Sequence, residues 1–200
     1  MTTDPSKQQM EGSDAAIVEQ VRAGDVDAFR ALVERHSRRV FAMAYRITGN
    51  ENDAEDIVQD TFIKAFNRLE HFESRASFGT WLYRIGANCA VDLLRARSHR
   101  SDLMISTDLD GHDLADLHPA SSPHPDGQVH DREIREHLTA ALDQLSGAER
   151  SAFVMRHFED MSIREIGAVL KLKENATKNT IFRAVRKLRE LLQPALGEPS

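Results

Sequence analysis

The sequence predicts an all-α protein, made of two small helical domains joined by a flexible acidic linker. Apolar residues recur three and four positions apart through most of residues 14–97 and 131–192, and neither segment alternates in the manner of a strand. Residues 98–130 contain three prolines and repeated aspartates without sustained periodicity. We therefore expect a disordered tail (1–12), an N-terminal domain (13–97), a linker (98–130) and a C-terminal domain (131–195).

The composition is that of an ordinary globular chain: of 200 residues, 40% are hydrophobic and 29% are charged. Cys89 is the only cysteine, which excludes an internal disulfide and a cysteine-based zinc cluster. No apolar run reaches membrane length, and the polar N-terminus is unlike a secretory signal, so we expect a cytoplasmic protein without membrane insertion. The net charge of −6 is unevenly distributed. Acidic residues concentrate in 51–60 and 102–116, and basic residues concentrate in 95–100 and 178–189.

The N-terminal segment predicts four helices. The first covers 14–23 and is stopped by Gly24; the second covers 27–48 and is ended by Gly49 and Asn50. Asn52 or Asp53 is expected to cap the third, which runs to about Leu69. After a loop at 71–78, the fourth runs from Trp81 to about Arg97.

The third helix carries polar residues at one face, opposite its apolar face. They are Asp53, Asp56, Gln59 and Asp60. Acids near a helix start stabilise its dipole, and a solvated face explains the rest, so spacing alone does not require a docking surface.

The fourth helix has a core stripe that includes Cys89, which we expect to be a packed apolar residue. Alongside it lies a second stripe, Trp81, Arg84, Asn88, Asp92 and Arg95. An exposed tryptophan beside such residues suits stacking with single-stranded bases. A partly buried core aromatic is an equally good interpretation of Trp81.

The C-terminal segment predicts a helix-turn-helix. Ser146 with Glu149, and Ser162 with Glu165, form two capping boxes that open helices at 147–158 and from Ser162. Residues 171–175 break the periodicity, where Asn175 can cap the next helix or end the turn. The longer basic helix that follows presents Lys178, Asn179, Phe182, Arg183 and Arg186, as the second helix of such a motif does in the DNA major groove. The alternative is a helical hairpin with a solvated basic face.

The linker contains four histidines at six-residue intervals, His112, His118, His124 and His130. A metal site is conceivable there, but scattered histidines in an acidic flexible segment are usually solvated. There is also no glycine-rich phosphate loop. We predict no metal, no cofactor and no catalytic residue.

Three motifs together resemble the extracytoplasmic-function (ECF) group of bacterial RNA polymerase sigma factors, in the sigma-70 family, and the likeness covers nearly the whole chain. They are DAEDIVQDTFIKAF (53–66), FGTWLYRIGANCAVDLLRAR (78–97) and LDQLSGAERSAFVMRHFEDMSIREIG (142–167). They occur in the order and at the separations typical of that family. Residues 175–180 and Val185 depart from the run that commonly enters the family's recognition helix.

The resemblance implies an alternative sigma factor, not an enzyme, which directs core polymerase to promoters and promotes their melting. It implies binding to the β′ clamp helices by Asp53, Asp56, Gln59 and Asp60. It implies that loop 71–78 cups a base flipped out of the −10 element. The residues that it implies contact that element are Phe72, Phe78, Trp81, Arg84, Asn88 and Arg95. It implies −35 contacts for Lys178, Asn179, Phe182, Arg183 and Arg186. The implied partners are core RNA polymerase (β′ clamp helices and β flap), promoter DNA and an anti-sigma factor.

Two other functions fit parts of the sequence. A stand-alone helix-turn-helix regulator would bind duplex DNA without polymerase and would not need the acidic face of the third helix. A metal-dependent enzyme built on the linker histidines would contain stoichiometric metal.

Overall fold

A computed structural model describes residues 5–73, 76–105 and 137–196 of the chain. These residues are mostly helical and include no strand, which confirms the predicted fold class. The helices in chain order are α1 (Pro5–Arg22), α2 (Phe29–Thr48), α3 (Glu51–Asn67), α4 (Phe78–Ile105), α5 (137–143), α6 (Gly147–His157), α7 (Ile163–Leu170) and α8 (Glu174–Leu196). Two short 3-10 turns, Val26–Ala28 and Leu69–His71, follow α1 and α3.

Helices α1 and α4 are longer than the sequence predicts. Helix α1 begins at Pro5, so residues 5–12 are helical rather than a disordered tail. Proline suits a first helical position because the N–H that it lacks has no partner there. Helix α4 begins at Phe78 and continues to Ile105, through residues predicted as linker. Neither glycine nor proline occurs in 98–105 to stop it. The four linker histidines lie outside the described residues.

The start of α3 also differs from the prediction. Gly49 ends α2 in a left-handed conformation (φ 72°), which leaves Asn50 extended at the next position. The Asn50 side chain accepts a hydrogen bond from the backbone N–H of Asp53 at 3.0 Å. Asn50 is therefore the N-cap, and Asp53 lies in the first turn.

The N-terminal core forms where α2, α3 and α4 pack together. Leu32, Met43, Ile47 and Leu82 are fully buried, and each such side chain contributes about 1.5–3 kcal/mol of hydrophobic free energy. Gly86 allows the close approach of α4, because a Cβ there would lie 2.7 Å from the Met43 Cε and 3.2 Å from the Thr61 Oγ1.

A buried polar chain joins α1, α2 and α4. The His36 Nε2 lies 2.7 Å from a carboxylate oxygen of Asp14, and its Nδ1 lies 3.0 Å from the Tyr83 hydroxyl. An imidazole protonated on Nε2 donates to Asp14 and accepts from Tyr83, which satisfies all three groups. Burial would raise the pKa of Asp14, but bonds from His36 and Arg35 outweigh it and lower that pKa.

The C-terminal domain packs α8 against α5 and α6. Ala141, Leu142, Leu145, Ala184 and Leu188 form its separate apolar cluster. The two predicted capping boxes are confirmed, since the Ser146–Glu149 and Ser162–Glu165 pairs each exchange both reciprocal bonds.

The two domains contact each other directly. One hydrophobic cluster runs from α1 through α4 into α6 and α7, and includes Val154, Met155 and Ile166. Polar contacts accompany it: the Arg39 Nε lies 3.3 Å from a carboxylate oxygen of Glu159. The Arg46 guanidinium lies 4.3 Å from the centre of the Phe158 ring.

Cys89 is buried on the core side of α4, which confirms the prediction that it is a packed residue. Its Sγ accepts a hydrogen bond from the Lys64 Nζ at 3.2 Å. Across the described ranges, no helix combines the length and apolar character needed to cross a membrane.

Candidate polymerase and nucleic-acid interfaces

The polar face of α3 is exposed at three of its four predicted positions. Asp56, Gln59 and Asp60 face solvent, and Asp60 lies 3.4 Å from Lys64 one turn later. Asp53 differs: it is only 6% exposed, and its carboxylate accepts bonds from both terminal nitrogens of Arg97. The prediction that Asp53 shares the exposed face is wrong, because α4 extends far enough to bring Arg97 over the start of α3.

Two apolar side chains extend the exposed face of α3. Ile63 is 51% exposed and Phe66 is 39% exposed. The exposed Phe66 ring contacts the buried Phe29 ring, with ring centroids 5.1 Å apart. Ile63 and Phe66 follow Gln59 at helical intervals of four and three, and this register is the signal that sequence analysis missed. We call Asp56, Gln59, Asp60, Ile63 and Phe66 the α3 ridge.

An aromatic cluster holds the loop between α3 and α4. Ring centroids of Phe72, Phe78 and Trp81 lie 5.1–5.9 Å apart. Phe72 is 5% exposed and Phe78 is 2% exposed, so neither presents its ring to a base. Both rings pack inward in this arrangement because apolar area is more stable away from water.

Arg22, which the sequence analysis missed, ties this loop to α1. Its guanidinium donates to the carbonyl oxygen of Leu69 at 3.0 Å and to that of Phe72. Trp81 is half-buried, in agreement with its interpretation as a partly buried core aromatic. Beside it lies an open hollow of about 320 Å³ lined by Arg68, His71, Trp81 and Ile85.

The polar stripe of α4 continues beyond that hollow. Arg84 and Asn88 are exposed, and the Asn88 side-chain amide donates to the Arg84 carbonyl oxygen at 2.7 Å. Both arginines of the stripe contact α7 of the other domain. The Arg84 guanidinium lies 3.5 Å from the Glu165 carboxylate, and Arg95 donates to the Val169 carbonyl oxygen at 3.3 Å.

Helices α7 and α8 form the predicted helix-turn-helix. Lys171 ends α7 in a left-handed conformation (φ 54°), and α8 begins at Glu174, so Asn175 lies in the first turn of α8 rather than capping it. Gly167 permits the tight crossing. A Cβ at that position would lie 2.9 Å from the Leu172 carbonyl oxygen and 3.0 Å from the Thr177 Oγ1.

The outer face of α8 is exposed at Lys178, Asn179 and Phe182, and the Phe182 ring is 66% exposed. An exposed ring between a cation and an amide has the chemistry needed to contact base edges and thymine methyl groups in a major groove. Lys178 and Arg186 each face a glutamate one turn away, at 2.6 Å and 3.8 Å.

Arg183 is also exposed, but it pairs within its own domain. Its Nε is 3.6 Å from the carboxylate of Glu149, which also accepts a bond from Lys187 at 2.7 Å. Burial would raise the pKa of Glu149, but the bonds from Lys187 and Ser146 outweigh it and hold the pKa below its usual value. Glu149 therefore both caps α6 and fixes α8 against it.

The described ranges contain no group of three or more metal-binding side chains. The site offers exposed anions and apolar groups on α3, and cations, amides and an aromatic ring on α4 and α8. Charged, amide and aromatic groups exposed in this way suit contact with a protein surface or with nucleic acid.

Two family models match the chain. Sigma-70 region 2 matches residues 32–100, which span α2 to α4, and sigma-70 region 4 matches residues 135–188, which contain the helix-turn-helix.

Two curated relatives illustrate the similarity. RNA polymerase sigma factor NccH of Alcaligenes xylosoxydans xylosoxydans is 35% identical over 96% of this chain and 97% of its own length. ECF RNA polymerase sigma factor SigE of Mycolicibacterium smegmatis is 36% identical over 80% of this chain, and the match spans 60% of that relative's length.

Among solved structures, the sigma factor RpoE in complex with the anti-sigma factor NepR from Bartonella quintana is similar. Its TM-score is 0.57 at 25% identity, covering 82% of this chain and 96% of that one.

The helical fold and its helix-turn-helix define a DNA-binding protein of transcription initiation. The chain belongs to the ECF RNA polymerase sigma factors of the sigma-70 family. It is an alternative sigma factor that binds RNA polymerase and promoter DNA and directs the enzyme to promoters.

Proposed function

We propose that the α3 ridge binds the β′ clamp helices of core polymerase. The observation that carries this proposal is the exposure of acidic and apolar side chains side by side, on a helix whose opposite face is buried. Acidic side chains attract a basic partner, and Ile63 and Phe66 supply apolar area at the centre of the contact. Asp53 acts indirectly, because its pairing with Arg97 holds α3 against α4.

We propose that the surface of α4 binds the non-template strand of the −10 element once it is unpaired. Arg84, Asn88 and Arg95 supply donors for phosphates and bases, and the hollow beside Trp81 lies at one end of this row. Unpairing a base costs a few kcal/mol, and stacking on an aromatic side chain contributes about 1–3 kcal/mol per base. A correct base thus makes melting nearly neutral, whereas a wrong base leaves it unfavourable.

We propose that α8 contacts the −35 element in the major groove through Lys178, Asn179 and Phe182, which its outer face exposes. Arg186 lies one turn further on, where backbone phosphates are within reach. Arg183 has a second role in the free protein, since it lies near Glu149.

We further propose that the protein performs no bond chemistry, acts in the cytoplasm on the nucleoid, and contacts the β flap of polymerase. We also propose that an anti-sigma factor restrains the idle protein and holds it at the membrane; the solved complex of RpoE with the anti-sigma factor NepR supports a partner of this kind.

Run-off transcription tests this function. Core polymerase with this protein should start RNA at discrete sites in a genomic promoter library, and the same polymerase alone should not. Start sites that do not depend on the protein would contradict the proposal. The Asp56→Ala variant should require more protein for half-maximal initiation without changing which promoters are used.

A further inference from the structure

The last turn of α1 supports the chain at the point where it leaves α3. The guanidinium of Arg22 donates to the carbonyl oxygen of Leu69 from Nε at 3.3 Å and from Nη2 at 3.0 Å. The same Nη2 lies 3.4 Å from the carbonyl oxygen of Glu70 and donates to that of Phe72. Three carbonyl oxygens of one short turn, residues 69–72, thus converge on a side chain that lies 47 to 50 positions earlier in the sequence.

The end of α3 explains why an arginine is favourable at this turn. Helix α3 ends at Asn67, and the chain continues as the 3-10 turn Leu69–His71. Carbonyl groups at the end of a helix lack partners within it and carry partial negative charge, so a cation is stabilising there. A guanidinium presents several donors in one fixed plane, whereas a lysine ammonium acts as a point charge. Arg22 therefore fixes the turn by its geometry as well as by its charge.

Arg22 is itself held in place by α1. Its Nη1 donates to a carboxylate oxygen of Glu19 at 2.8 Å, and only 26% of the Arg22 side chain is exposed. Helix α1 in turn packs on the core through Ile17, Val18 and Val21. A side chain that is already ordered in this way loses little further conformational entropy when it holds the turn.

The same turn forms one wall of the hollow beside Trp81. Arg68 lies immediately before the 3-10 turn and His71 lies within it, and both line the hollow. The opposite wall is Trp81 and Ile85 on α4. The width of the hollow therefore depends on where α1 holds the turn relative to α4.

We propose that Arg22 is a positioning residue for promoter melting: by fixing the 69–72 turn, it keeps the hollow beside Trp81 at the width that accepts one unpaired base of the −10 element. This inference rests on the proposed binding of that strand by α4. Arg22 acts through the turn and not by touching DNA. When the turn shifts, a base in the hollow loses its aromatic stacking, while the phosphate contacts along α4 are retained.

The test measures binding of single-stranded oligonucleotides to the holoenzyme formed by core polymerase and the full chain. The oligonucleotides carry the non-template −10 sequence of a promoter mapped by run-off transcription, with one base at a time replaced by an abasic site. In wild type, one position should show a penalty of about tenfold, because the stacking of its base in the hollow is lost. In Arg22→Ala and Arg22→Lys, that penalty should nearly disappear, while the effects at the other positions stay as in wild type.

Arg30→Ala is the matched control. Arg30 belongs to the same domain and also pairs with a glutamate one turn away, but that partner is Glu34 on its own helix, at 2.9 Å. This variant should keep the wild-type penalty. A variant that only weakened the fold would reduce binding of every oligonucleotide alike. A uniform loss in the Arg22 variants, or the full wild-type penalty in both, would therefore overturn the proposal. If Arg22→Ala does not fold as judged by circular dichroism, Arg22→Lys decides, because it keeps the charge and most of the aliphatic stem.

Trp81→Ala separates this inference from the proposed role of α4. If Trp81→Ala loses the penalty at that one position and the Arg22 variants keep it, the hollow binds a base and only the role of Arg22 is wrong. A wild-type holoenzyme without any position-specific penalty would overturn the inference. If Trp81→Ala and Asn88→Ala in addition bind the strand as wild type does, the proposed role of α4 is wrong as well.

Discussion

The guanidinium of Arg97 donates two hydrogen bonds to the buried carboxylate of Asp53, and this ion pair holds the start of α3 against α4. Arg97→Ala would leave the carboxylate buried without its charged partner. We expect a loss of about 1–3 kcal/mol in the free energy of unfolding, measured with urea. Asp56→Ala, on the exposed face, is the control and should change that free energy by less than about 0.5 kcal/mol. Equal stability of the two variants would show that the pair is not structural.

Acid should weaken the fold through Asp14 and Glu149, whose pKa values are both lowered by their partners. A lowered carboxyl pKa stabilises the fold above the ordinary value of about 4, and that contribution is lost as the pH falls through the lowered pKa. Glu159 has the opposite effect: its pKa is raised by burial, so its ionisation at higher pH lowers the stability of the fold. The measurement is the free energy of unfolding of Lys187→Ala and of wild type at each pH. Between pH 5 and pH 3, roughly one unit either side of the ordinary carboxyl pKa, the free energy of unfolding should fall less in the variant than in wild type. Identical pH profiles would contradict the assignment to Glu149.

Gly49→Ala should be destabilising for two separable reasons. Its backbone is left-handed (φ 72°), which costs a residue with a Cβ about 1 kcal/mol, and the added methyl would press on Arg150 at 3.1 Å. A double-mutant cycle with Arg150→Ala separates these effects by urea unfolding. The substitution should cost less in the Arg150→Ala background. An equal cost in both would leave only the backbone strain.

Phe182→Ala should reduce −35 duplex affinity without reducing stability, because the ring is 66% exposed. We expect a loss of about 1–3 kcal/mol in binding, concentrated at one or two base pairs. Leu188→Ala, on the buried face of the same helix, should instead lower the free energy of unfolding. Anisotropy with a set of single-base duplex variants measures the first effect. A loss spread evenly over all sequences would indicate a phosphate contact instead.

Asn88→Ala should slow open-complex formation more than it weakens polymerase binding. Asn88 is exposed on α4, away from the α3 ridge, and its removal leaves the packing unchanged. Permanganate footprinting reports unpaired thymines, and a pull-down with core polymerase reports binding. Trp81→Ala should act in the same direction with some loss of stability, since the ring also packs on Phe72 and Phe78. Lost polymerase affinity in Asn88→Ala would contradict the assignment.

Features encoded by neighbouring residues could be predicted from the sequence. The two capping boxes depend on residues three apart, so Ser146–Glu149 and Ser162–Glu165 are visible in the pattern alone. The same holds for the helix stop at Gly49. Helical periodicity likewise predicts the all-α fold, because it depends only on which residues share a face.

Features that depend on distant residues could not be predicted in this way. Asp53 follows the spacing of its exposed neighbours, and only the approach of Arg97, 44 positions later, buries it. The inward rings of Phe72 and Phe78 depend likewise on the packing of the loop against α2 and α4. The contact of α7 with Arg84 and Arg95 joins segments separated by the linker, and no local pattern encodes it.

The burial of Cys89 means that the natural chain should react slowly with thiol-labelling reagents. Cys89 is the only cysteine in the sequence, and its thiol lies in the core beside the Lys64 amine. A maleimide dye should therefore react first with any cysteine introduced at an exposed position. Two such dyes, one on each domain, could follow their separation in single molecules while polymerase and promoter are added.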